Sequence, residues 1–88
     1  MKTIYKYEIE TDDFFYIDMP IGAEILTVQI QYGIPYIWVK VDIHNPKKTY
    51  AFRTFGTGHP IEEEFDGKYI GTYQLNESTF IFHLYLTN

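Results

Sequence analysis

The chain is 88 residues long, carries a formal net charge of −5 and contains no cysteine. That length allows a single domain, 1–88, whose thin core buries only about 60–65% of its unfolded surface. The missing cysteines remove disulfide staples and cysteine-ligated zinc, and the acidic balance works against duplex nucleic acid, which binds through a basic surface.

Period-2 alternation recurs along the chain, and no segment holds helical periodicity for three turns. A first strand is predicted over 3–10, with Tyr5, Tyr7 and Ile9 on one face and Lys6, Glu8 and Glu10 on the other. Asp12-Asp13 marks a turn, and a second strand over 14–19 runs into the breakers Pro20-Ile21-Gly22. The clearest element is a hairpin. Leu26, Val28 and Ile30 alternate with Thr27, Gln29 and Gln31, Tyr32-Gly33-Ile34-Pro35 is the turn, and Ile37, Val39 and Val41 resume the core face. Trp38 then falls on the opposite face with Tyr36 and Lys40. His44-Asn45-Pro46-Lys47-Lys48 is a loop, a strand follows over 49–55, and 56–68 is irregular with room for one helical turn near 60–65. A last hairpin joins 69–75 to 79–86 through Asn76-Glu77-Ser78, with Phe82 and Leu84 facing the core. The expected fold is all-β: a compact antiparallel β-sandwich or small barrel of six to seven short strands.

Catalytic chemistry has little to build on. The one serine, Ser78, falls in a turn with no neighbouring histidine, whereas a hydroxyl nucleophile needs a base and an orienting group. His44, His59 and His83 could converge on a metal with a carboxylate, but none has a close-spaced histidine partner such as an i, i+2 pair, and Glu62-Glu63-Glu64 reads as a solvated run. No catalytic residue, metal ligand or cofactor is expected, and the chain is read as a non-enzyme.

Two constellations suit binding instead. In the first, Arg53 precedes Gly56, Thr57, Gly58 and His59. Glycines flanking a threonine let backbone amides approach an anion, and a guanidinium suits phosphate or carboxylate. Gly-Thr-Gly without a following lysine or helix is a weak motif, equally served by a tight connection between sheets with Arg53 paired to Glu62, Glu63 or Asp66. In the second, Tyr36, Trp38 and Lys40 make an aromatic, cationic face, and alternation also turns Arg53, His83 and Tyr85 off the core. If these faces meet, Arg53 and its loop hold the anionic group of a ligand whose planar base stacks on Tyr36 or Trp38. Such a face suits stacking on a planar base or the seam of a homo-oligomer, where Trp, Tyr and Arg are enriched. Aromatic residues make up 19% of the chain, more than a core this small needs.

Met19-Pro20-Ile21-Gly22-Ala23-Glu24-Ile25-Leu26-Thr27-Val28-Gln29, with Phe52-Arg53, Gly56-Thr57-Gly58-His59-Pro60-Ile61 and Gly67-Lys68-Tyr69-Ile70-Gly71-Thr72-Tyr73, resembles a family of small uncharacterised bacteriophage and prophage proteins. The likeness covers nearly the whole chain and brings no activity or catalytic residue with it. It implies a small accessory protein made in the cytoplasm of an infected bacterium. The start of the chain lacks the apolar stretch of a signal peptide and no segment approaches ~20 apolar residues, which fits that compartment and gives no membrane association. The expected function is an oligomeric sponge that counters host immunity by sequestering a small anionic, nucleotide-derived signal of the cyclic nucleotide or cyclic ADP-ribose type. The alternative is an inhibitor or adaptor that binds a host protein through an acidic, aromatic surface.

Overall fold

The computed structural model describes residues 1–75 and 79–88; the expected turn Asn76-Glu77-Ser78 lies outside the described residues. Among those described, seven strands form two antiparallel sheets: β1 (Lys2–Glu8), β2 (Phe14–Pro20), β3 (Glu24–Gln31), β4 (Ile34–Asp42), β5 (Lys47–Gly56), β6 (Lys68–Leu75) and β7 (Phe80–Leu86). One sheet has the order β1-β4-β3 and the other β2-β5-β7-β6. The Cα envelope measures 40 × 34 × 16 Å, the thickness that two sheets stacked about 10 Å apart produce. This is the sandwich alternative of the two expected architectures; the sheets remain separate and close no barrel.

Alternation in β4 sets the core. Ile37, Val39 and Val41 are buried and face Phe15, Met19, Tyr50, Phe52, Tyr73 and Leu84 of the second sheet. Phe15 and Phe52 stack at 4.9 Å between ring centroids with 3° between their planes. Tyr50 donates its hydroxyl to the Pro20 carbonyl at 3.1 Å, pinning the Pro20–Ala23 turn to β5. Phe82 is only partly buried against this core, beside fully buried Leu84. The expected helical turn is a single β-turn, closed by the Phe65 N–H on the Glu62 carbonyl at 3.0 Å.

β3 departs from strict alternation. Of Leu26, Val28 and Ile30, which the pattern places on the core face, Val28 is buried while Leu26 and Ile30 stay 44% and 37% exposed. The cause is a β-bulge: Ile25 pairs with Val39 and Thr27 with Trp38, leaving Leu26 unpaired between them. One inserted residue reverses the facing of what precedes it. Ile25 and Val28 thus share the inner side, and Leu26 turns outward. Ile30 keeps its register opposite Pro35 but borders an open groove between β3 and β6.

That groove is narrow at Gly71. A Cβ there would lie 2.7 Å from Val28 Cγ1, and valine is stiff at χ1. Gly71→Ala is therefore expected to push β6 off β3 and cost about 1–2 kcal/mol. A urea melt with an unchanged midpoint would contradict this close approach.

Candidate functional site

The two constellations lie on opposite outer faces of the sandwich. Trp38 pairs with Lys6 on β1 and with Thr27 on β3, in the three-stranded sheet. Arg53 pairs with Phe14 on β2 and with Tyr85 on β7, in the four-stranded sheet. Each points away from the core, since its strand neighbours Ile37 and Val39, or Phe52 and Thr54, are buried. Arg53 and Trp38 of one protomer therefore do not reach a common ligand.

On the four-stranded sheet, Arg53 is held by its own chain. Its guanidinium carbon lies 4.3 Å from the Phe14 ring centroid and 4.2 Å from that of Phe55, so the cation sits against two aromatic faces. Nη1 approaches Glu62 Oε2 at 3.7 Å, and the side chain is 17% exposed. Phe65 and Tyr85 complete the cluster, with centroids 5.1 and 5.7 Å from Phe55. The pairing with Glu62 is the internal alternative the sequence offered; the aromatic packing around the guanidinium is not legible in it. The segment after Gly56 folds back and lays Phe65 and Glu62 over β5, burying Phe55 on a face that alternation turns to solvent.

The loop after Arg53 is likewise satisfied internally. Thr57 N–H donates to the Ile81 carbonyl at 3.2 Å and His59 N–H to the Gly56 carbonyl at 3.0 Å. Gly58, at φ +88°, supplies the left-handed corner of this turn. Thr57 Oγ1 is 2.8 Å from His83 Nε2, and His83 Nδ1 is 2.8 Å from Thr72 Oγ1. The His59 ring lies over Gly56, where a Cβ would meet it at 2.9 Å. These contacts give each residue of the motif a structural task, and they leave a hollow of 220 Å³ between His59 and the start of β7. His44 is exposed in the β4–β5 turn, its N–H donating to Asp42 Oδ1 at 3.1 Å. That hydrogen bond holds the Asp42 carboxyl below its ordinary pKa.

The outer face of the three-stranded sheet is the better binding surface. Tyr36 and Trp38 meet edge-to-face at 5.9 Å. Lys6 Nζ lies 4.5 Å from the Tyr36 centroid and donates to Gln31 Oε1 at 2.7 Å. Lys40 lies beside Ile4 and pairs with exposed Glu24 at 3.5 Å. Trp38, Ile4, Leu26, Thr27, Gln29 and Gln31 line a shallow depression of 450 Å³. Alternation places Lys2, Lys6 and Lys40 on this face with Glu8, Glu24 and Asp42, so the face is neutral and the whole −5 lies elsewhere. Tyr36, Trp38 and Lys40 were legible as one face; Lys6, Ile4 and Gln31 join it only through the strand register, for which the sequence carries no local signal. Among the described residues, no helix is long and apolar enough to cross a membrane.

Residues 1–88 match a family described as a domain of unknown function, DUF7352. No curated protein and no solved structure matches the chain.

Proposed function

We propose a function for a chain that belongs to the DUF7352 family: a non-enzymatic, self-associating binding protein that sequesters a small nucleotide-derived signal. In this reading it is encoded by a bacteriophage or prophage and acts in the host cytoplasm against immune signalling. The observation that carries it is the Tyr36–Trp38 aromatic wall with Lys6 and Lys40 on the same face. An indole can stack on any base, because every base has a π-face. The ammonium groups suit phosphate, and Thr27, Gln29 and Gln31 offer hydrogen bonds to base edges or ribose. A second copy that extends this open surface adds the contacts a small ligand needs, so the site belongs to an oligomer.

The test is calorimetric titration of cyclic di- and trinucleotides and of cyclic ADP-ribose isomers into wild type and Trp38→Ala. Wild type is expected to bind at least one of them, and Trp38→Ala to bind it about 10- to 100-fold more weakly, the range of one lost base–aromatic stack. No heat and no thermal shift with any of these compounds would overturn the proposal. A second reading, an inhibitor that docks on a host protein, is favoured by one feature of the same face: Ile4 and Leu26 are 54% and 44% exposed beside Trp38. Aromatic and aliphatic side chains grouped in this way are what protein anchors fill.

A further inference from the structure

β1 is an outer strand of the three-stranded sheet, and among the described residues its backbone pairs only with β4. Along the seven residues Lys2 to Glu8, the N–H and C=O groups of every second residue thus point away from β4 unpaired, with no proline and no bulge to blunt the edge. The other outer strands differ. β3 and β6 lie against each other where Val28 meets Gly71, and β2 ends at Pro20, which has no N–H to donate. Along β1, Ile4 and Tyr5 remain 54% and 44% exposed.

We infer that β1 pairs antiparallel with β1 of a second copy, joining two three-stranded sheets into one continuous sheet about a two-fold axis at Tyr5. Charge selects that register. A two-fold axis perpendicular to the sheet keeps inner and outer faces in place, so odd-numbered residues oppose odd and even oppose even. Centring the pair on Ile4 puts Lys2 opposite Lys6 twice, and centring it on Lys6 puts that lysine opposite its own copy. Centring on Tyr5 puts Lys2 opposite Glu8 twice, Ile4 opposite Lys6, Thr3 opposite Tyr7, and Tyr5 opposite Tyr5. Opposite charges directly across antiparallel strands stabilise a pair and like charges destabilise it. Centring on Tyr7 also sets Lys6 opposite Glu8 but overlaps only three residues of β1, so the Tyr5-centred register is the one that joins opposite charges along the whole strand, and it covers the exposed Ile4 and Tyr5. This pairing is the route of self-association on which the sequestering reading depends. It sets the two Trp38 faces side by side on one surface, flanking the axis.

The experiment is sedimentation equilibrium without ligand on wild type, Lys2→Glu, Glu8→Lys and the Lys2→Glu/Glu8→Lys double variant, with thermal melts to confirm folding. Wild type is expected at the mass of two chains. Each single variant turns both Lys2–Glu8 pairs repulsive and should raise the dissociation constant about tenfold or more. The double variant restores opposite charges and should return it to within about threefold of wild type. If Lys2→Glu fails to fold beside Asp42, Glu8→Lys makes the same comparison. A one-chain mass at the highest soluble concentration would overturn the inference. So would a dimer that neither single variant weakens, or a weakening that the double variant leaves unrepaired. A monomer that still binds a cyclic nucleotide removes this pairing and the self-association in the sequestering reading but leaves the Trp38 face as the site, and a dimer that binds none removes the sequestering reading alone.

Discussion

Phe52→Ala is expected to leave the domain at the edge of unfolding. Phe52 is 1% exposed, and it stacks on Phe15 between the two sheets. Removing a buried phenyl ring costs about 3–5 kcal/mol, part as lost transfer energy and part as the cavity left behind. An 88-residue domain holds roughly 4–13 kcal/mol in total. The core here is one layer of side chains, and no disulfide supplements it. The melting temperature should fall by more than about 15 °C. Phe52→Leu keeps most of the volume and should lose less than half as much. A shift of only a few degrees for the alanine variant would mean that Phe15 and Met19 collapse into the space and that the sheets are less rigidly held apart than the stack implies.

Much of this fold can be read from the sequence where the physics is local. The β3–β4 turn is one case. Tyr32 and Gly33 both take positive φ, 52° and 78°, the requirement of a two-residue hairpin, and the flanking alternation places Ile37, Val39 and Val41 inward. Trp38 follows on the outer face because a strand has period 2. What could not be read depends on contacts distant in sequence. The bulge that turns Leu26 outward leaves no trace in an alternating segment. Gly71 approaches Val28 across the gap between sheets, 43 positions along the chain. The candidate anion site suffered most. Arg53 and the glycine-flanked turn are the right chemistry for an anion, but Glu62, Phe65 and His83 satisfy them from afar, and no local pattern announces a loop that folds back over its own strand. Lys6 came to Tyr36 in the opposite way, through the β1–β4 register, and strengthened a face the sequence had already grouped.

Arg53→Ala separates those two faces. The side chain holds Phe14 and Phe55 apart at 4.3 and 4.2 Å from its guanidinium carbon, and a largely desolvated cation–π contact contributes about 1–2 kcal/mol. The approach to Glu62 at 3.7 Å adds little, because Glu62 is 55% exposed and such pairs are screened to less than about 1 kcal/mol. Arg53→Ala is therefore expected to cost about 2–3 kcal/mol, lowering the melting temperature by roughly 10–20 °C, and Glu62→Gln almost nothing. Arg53→Met should recover part of the loss. Its flexible thioether can fill the slot between the two rings, and it removes the buried Nε that finds no hydrogen-bond partner within the described residues. Nucleotide affinity, measured below the melting temperature of each variant, should survive both changes at Arg53 and fall with Trp38→Ala. The opposite pattern would relocate the site. If Arg53→Ala and Arg53→Met fold as stably as wild type yet abolish binding, the guanidinium serves a ligand on the four-stranded sheet, and the contacts with Phe14 and Phe55 hold it ready for that ligand.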